Sequence, residues 1–148
     1  MLFSASHFGS RSTWAIGLGS LALALAAAAV HAQPVAVTLP AMKGEGAARY
    51  ACGGIGSDES TAMRAAMRQH PLSLLFTTRS GDYLADIDVT IKQAGGATAL
   101  TLRADGPMCM IDLPPGRYTV QVAAAGHLVP PRQAVSVGKG TKALRFAF

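Results

Sequence analysis

The sequence predicts a mainly β chain, of sandwich or barrel type, with one α-helix ahead of the strands. Three observations carry this. Beyond Pro71 the apolar residues alternate with polar ones, the period of a half-buried strand. Turn-forming clusters (Gly95-Gly96, Asp105-Gly106-Pro107, Pro114-Pro115-Gly116, Gly138-Lys139-Gly140) interrupt that alternation at short, regular spacing. Only one segment, from Ser57 to Gln69, has helical spacing.

The first segment is read as an export signal. Trp14 to Val30, "WAIGLGSLALALAAAAV", carries no charge, Arg11 precedes it, and Val30 and Ala32 fill the small-residue positions before a cut between Ala32 and Gln33. The alternative is a retained membrane anchor, since the run approaches the span of a bilayer. Its Ala and Gly make it only weakly hydrophobic, which favours the cleaved signal. Residues 1–32 are therefore expected to be removed, leaving a periplasmic or secreted chain with no stable membrane insertion. Of the 148 residues, 116 remain, the size of one domain, with 12 basic residues against 8 acids. That balance of +4 favours solubility and weak attraction to anionic surfaces. The basic residues are scattered rather than clustered on one element with aromatics between them, so nucleic acid is not an expected partner.

Residues 33–51 open with "QPVAVTLPAMKGEGAAR", which has no period and holds Pro34, Pro40, Gly44 and Gly46; a flexible arm is expected. Its apolar part, residues 34–40, could add as an edge strand to a neighbour. Residues 52–70 form the helix segment. Ser57 suits the N-cap, Asp58 and Glu59 complement the dipole in the first turn, and Ala62, Met63, Ala66 and Met67 make one apolar face. Arg64 and Arg68 fall on another face, and Pro71 forces His70 out of the helix. Strands then follow over 71–148: Leu72, Leu74 and Phe76 share a side; Ala85, Ile87, Val89 and Ile91 face inward against Asp86, Asp88, Thr90 and Lys92; Tyr118, Val120 and Val122 face inward after the Pro-Pro-Gly corner; Leu144, Phe146 and Phe148 close the series. The dense basic stretch "GKGTKALR" reads as solvated.

Cys52 and Cys109 would enter an oxidising compartment, where one disulfide closing more than fifty residues is one reading. The other is a buried apolar Cys109 and a free Cys52 thiol, since bridge geometry is strict. Only His70 and His127 could join them as ligands, without ligand-like spacing, so no metal is expected.

"ADGPMCMIDLPPGRYTVQVAAAGH", residues 104–127, is the recognisable stretch. Its Asp-Gly turn, short strand, Leu113-Pro114-Pro115-Gly116, Tyr118 and Val120, and Gly126 resemble the carboxypeptidase regulatory-like domain. Two departures are Met108 after Gly106-Pro107 and His127 after Gly126, where the family more often has aromatics. The resemblance covers residues 71–148 and implies a seven-stranded transthyretin-like (Ig-like) β-sandwich. It also implies an accessory module without chemistry of its own. The "GGIGSDE" and "MR" residues ahead of it are similar to those of small exported proteobacterial proteins carrying this domain.

Gly53, Gly54 and Gly56 miss dinucleotide-loop spacing, because Glu59 stands where the third glycine belongs; no Lys follows, and Asp58 and Glu59 repel phosphate. The glycines are then a flexible lead-in, with Ile55 stapled on the first helical turn. His70 and His127 lack a Gly-x-Ser-x-Gly elbow or a neighbouring nucleophile, so no catalytic residue is assigned. Asp82, Asp86 and Asp88 suggest calcium, but Asp86 and Asp88 share one side of a strand and read rather as a solvent face paired with Arg103 or Arg117. No cofactor is expected. The expected role is interaction with another envelope protein or an accessory structural role. The alternative is a carbohydrate-binding module, disfavoured because no Trp follows Ala32 and Tyr is scarce. A small periplasmic hydrolase or metal-dependent enzyme comes last.

Overall fold

In the computed structural model, which describes residues 36–148, the alternating segments form strands. Residues 1–32 and the Ala32–Gln33 cut lie outside the described residues. One sheet has five strands, β1 (Lys43–Glu45), β2 (Ala48–Gly53), β3 (Leu72–Thr77), β6 (Met108–Asp112) and β9 (Lys142–Ala147), in the order β1-β2-β6-β3-β9. The other has four, β4 (Ile87–Gln93), β5 (Thr98–Ala104), β7 (Gly116–Ala123) and β8 (Arg132–Val137), in the order β5-β4-β7-β8. All neighbours are antiparallel except β3 and β9.

Alternation explains the layers. Leu72, Leu74, Phe76, Ile111 and Phe146 of the first sheet meet Ile87, Val89, Ile91, Leu102, Val120 and Val122 of the second in one core. The intervening residues of β6, Met108 and Met110, point to the opposite face of the first sheet. There they join Ala51 and Met63 of the helix α1 (Ser57–Met67), with Met42, Met67 and Leu75 around them. Every methionine after Met1 therefore sits in this helix–sheet layer. Unbranched thioethers suit the irregular space between a curved sheet and a short helix. β6 is buried on both faces, which is why "MCMI" is continuously apolar.

Nine strands stand where seven were expected. Seven of them, β3 to β9, lie within 71–148; the surplus pair, β1 and β2, comes from the segment read as an arm and the first helix-segment residues. β2 carries little apolar alternation, and its place is set by the ladder with β6. "KALR" belongs to β9, beside β3, with Lys142 and Arg145 exposed. Ala85 is exposed, because Asp86 adopts φ 60° and breaks the alternation before β4 begins. Ser57 is the first helical residue; the cap is Gly56, extended at φ −86° and ψ 159°, whose carbonyl accepts the Ser60 N–H. Ile55 is 74 % exposed, so it staples nothing.

Cys52 and Cys109 face each other across β2 and β6 and are joined in a disulfide, their Cα atoms 4.1 Å apart. The bridge lies on the core side, buried at both ends. Tyr118 opens the inward run of β7, and its hydroxyl donates to the Pro114 carbonyl at 2.7 Å, tying the Pro-Pro-Gly corner to the core.

Candidate functional site

The short connections give the two sheets common ends. One end carries residues 54–56, 78–86, 105–107 and 124–131 with Phe148; the other carries 46–47, 68–71, 94–97, 113–115 and 138–141. The two differ in chemistry. The large hydrophobic residues exposed in the described chain are Val37, Leu39, Ile55, Tyr83, Leu128 and Val129. Four of them, Ile55, Tyr83, Leu128 and Val129, lie on loops of the first end. Pro40, next after Leu39, comes in beside the end of β2, where its side chain and that of Glu59 crowd Gly53. Leu128 and Val129 cap the β7–β8 loop at 98 % and 80 % exposure, and His127 before them sets its ring edge-on to Phe148 at 5.0 Å. Pro130 and Pro131 stiffen the chain after this tip.

Around Ile55 the surface forms a hollow of about 280 Å³ with Tyr83, Leu84, Ala85 and Pro107. It leads along α1 by way of Arg64, whose guanidinium lies 5.7 Å from the Tyr83 ring centroid. A second hollow, about 320 Å³, follows between α1 and β9. The helix covers β6 and β2, and the small residues Ser73 and Ala143 leave this space over β3 and β9.

The carboxylates have local partners. Arg103 bridges Asp86 at 3.4 Å and Asp88 at 3.0 Å across β4 and β5. Asp82 accepts hydrogen bonds from Ser80 (2.7 Å) and Thr78 (3.2 Å), which hold its carboxyl below the usual aspartate value. These three aspartates are thus not drawn into one cage, and the described residues contain no group of three or more metal-ligating side chains.

One pairing was not legible in the sequence: His70 Nδ1 lies 2.7 Å from Asp112 Oδ1. The contact fastens the exit of α1 to the end of β6, 42 residues away. A histidine oriented by a carboxylate is the pair that activates a nucleophile in hydrolases. Here no hydroxyl or thiol among the described residues hydrogen-bonds His70, and both cysteines are spent in the disulfide. His127 is far from it, at the opposite end. No described helix is long and apolar enough to cross a membrane. No model of a known protein family matches the chain, and no curated protein matches its sequence.

Proposed function

We propose that the chain is an exported, non-catalytic β-sandwich domain of the carboxypeptidase regulatory-like, transthyretin-like kind, acting in the periplasm or outside the cell by engaging another envelope protein. The observation that carries the reading is the collection of four exposed large hydrophobics, Ile55, Tyr83, Leu128 and Val129, on the loops of one end. Single exposed apolar residues are ordinary, whereas a group on neighbouring loops marks a contact surface. Loops held by a rigid sandwich are also where binding residues commonly sit. The seven strands over 71–148 and the Tyr118–Pro114 corner support the family-level part, with β1, β2 and α1 as additions to it.

Carbohydrate binding has one feature in its favour, the exposed Tyr83 ring. Arg64 lies over that ring, and no second exposed aromatic stands beside it among the described residues, so the protein-contact reading is preferred. A small hydrolase or metal-dependent enzyme rests on the His70–Asp112 pair alone.

The test is a photo-crosslinking residue placed at Leu128 or Ile55 in living cells, with Gly95 at the opposite end as the control. Discrete adducts are expected from the first two positions only. Leu128→Ser with Val129→Ser should cut the Ile55 adduct about tenfold while shifting stability by less than about 0.5 kcal/mol per site, since both side chains are exposed. Adducts no stronger at Leu128 than at Gly95 would sink the reading.

A further inference from the structure

The flank of α1 that faces β9 has a pattern more specific than an apolar patch. Arg64 and Arg68 stand one turn apart on the helix, and both line the hollow floored by Met67, Ser73, Thr141 and Ala143. Four residues of helix advance about 6 Å. Arg145 lies across from them on β9, on the same sheet face as Ala143, because Leu144 and Phe146 point into the core. Its Nε–H donates to Thr77 Oγ1 at 3.2 Å, which fixes the guanidinium on this face. Thr141 Oγ1 donates to the Arg68 carbonyl at 3.0 Å and closes the far end. No acidic residue lines the hollow, and among the described residues none of these three arginines is in an ion pair.

Beyond Arg64 lies the apolar hollow of Ile55, Tyr83 and Pro107. Arg64, which lines one hollow and lies over the Tyr83 ring of the other, links the two into a trough beside α1, whose eleven residues span about 16 Å. In an extended polypeptide, alternate side chains share a face at a spacing of about 6.7 Å. That spacing matches the step from Arg64 to Arg68, and a third same-face position, one step earlier, reaches the Ile55–Tyr83 hollow. Arginine, tyrosine and methionine are also the residue types enriched at protein contact surfaces, and Arg receives carboxylates in a two-pronged manner that Lys does not.

We infer that this trough receives an extended acidic segment of a partner polypeptide, with the pattern apolar-x-acid-x-acid. Its apolar side chain fills the Ile55–Tyr83 hollow, and its two carboxylates meet Arg64 and Arg68, with Arg145 adding charge from across the trough. The inference rests on the protein-contact reading and names the chemistry of the contact.

Fluorescence anisotropy on the full exported chain tests it. The probes are labelled heptapeptides containing Leu-x-Glu-x-Glu, with x drawn from Ala, Ser and Thr, beside matched Leu-x-Lys-x-Lys and Leu-Glu-Glu-x-x peptides. The first set should bind at least about tenfold more tightly than either control. Arg64→Ala with Arg68→Ala should weaken it about tenfold or more, Tyr83→Ala should weaken it as well, and Lys92→Ala, exposed on β4 of the other sheet, should leave it unchanged. Raising salt from about 50 mM to about 500 mM should weaken the Glu peptides. Circular dichroism melts show whether each variant is folded; Arg64→Lys serves as a second, milder substitution and should retain only part of the affinity. No binding of the Leu-x-Glu-x-Glu set below about 1 mM, equal binding of the Lys set, or indifference to the arginine substitutions overturns the proposal. Tighter binding of heparin or of phosphatidylglycerol vesicles through the same arginines overturns it in favour of a polyanion site. If the peptides fail while Leu128 crosslinks persist in cells, the trough alone is wrong; if both fail, the protein-contact reading falls with it.

Discussion

Cys52 and Cys109 belong to neighbouring strands, yet the bond joining them closes 57 residues of chain. On loop entropy alone, the link stabilises the folded chain by about 4 kcal/mol. The Cys52→Ser, Cys109→Ser double variant should lose about that much in urea denaturation, with an increased m value as the unfolded chain expands. A loss under about 1 kcal/mol would show that the β2–β6 ladder holds this region without the bridge. At Asp82 the effect is smaller and depends on pH. Hydrogen bonds from Ser80, and then Thr78, lower its folded pKa below the unfolded value near 3.8. Its contribution is therefore complete above that unfolded value and is lost as pH falls through the folded one. An NMR carboxyl titration should place the midpoint below 3.8, and Ser80→Ala should move it back up. A midpoint at or above the ordinary value refutes the assignment. The cysteine pair had two readings in the sequence, because pairing depends on a register between segments that sequence spacing does not reveal. The hydrogen bonds of Asp82 gave no sign there, since its partners act through the fold of a five-residue turn.

At the scale of elements, α1 was legible and the hairpin before it was not. The helix is marked by acids in its first turn, a 3.6-residue apolar period and a proline beyond its end, all local signals. β1 and β2 contain Lys43, Gly44, Glu45 and Arg49, with their buried residues packed at the end in Ala51, Cys52 and Gly53. Nothing local favours a strand there, and the buried edge of β6 draws it in. The trough was half legible: Arg64 and Arg68 separate from the apolar helix face by periodicity, but Arg145 joins them only through the parallel register of β3 and β9. Met63 is the helix's one fully buried residue, packed on Met108, Met110 and Ala51. Met63→Ala should cost about 2 to 5 kcal/mol, because a short helix over a sheet has few other apolar contacts to close the cavity. Hydrogen exchange should show α1 amides losing protection ahead of those in β4 and β7. Uniform loss across the molecule would mean that the methionine layer and the sandwich core unfold as one unit.

The described sandwich, residues 36–148, is polar from end to end, which net charge alone conceals. Arg68, Lys92, Arg117, Lys139, Lys142 and Arg49 lie at or near the end opposite the apolar loops, with only Glu45 and Asp112 as acids. Asp58, Glu59, Asp82, Asp86, Asp88 and Asp105 lie toward the apolar end, against Lys43, Arg79, Arg103 and Arg132. The positive potential should thus be strongest at the turn between β8 and β9. The distance between the ends exceeds the screening length at physiological salt, about 8 Å, so each end attracts ions on its own. Weak attraction of the chain to polyanions should therefore centre on Lys139 and Lys142, apart from the trough arginines and the apolar loops. Lys139→Glu with Lys142→Glu should bring the chain off a heparin column at markedly lower salt than the native chain. Arg79→Glu with Arg132→Glu makes the same change of net charge at the apolar end and should shift elution much less. Equal shifts for the two pairs would mean that only the net charge of the molecule matters to the column, and that its surface does not act as two separate ends.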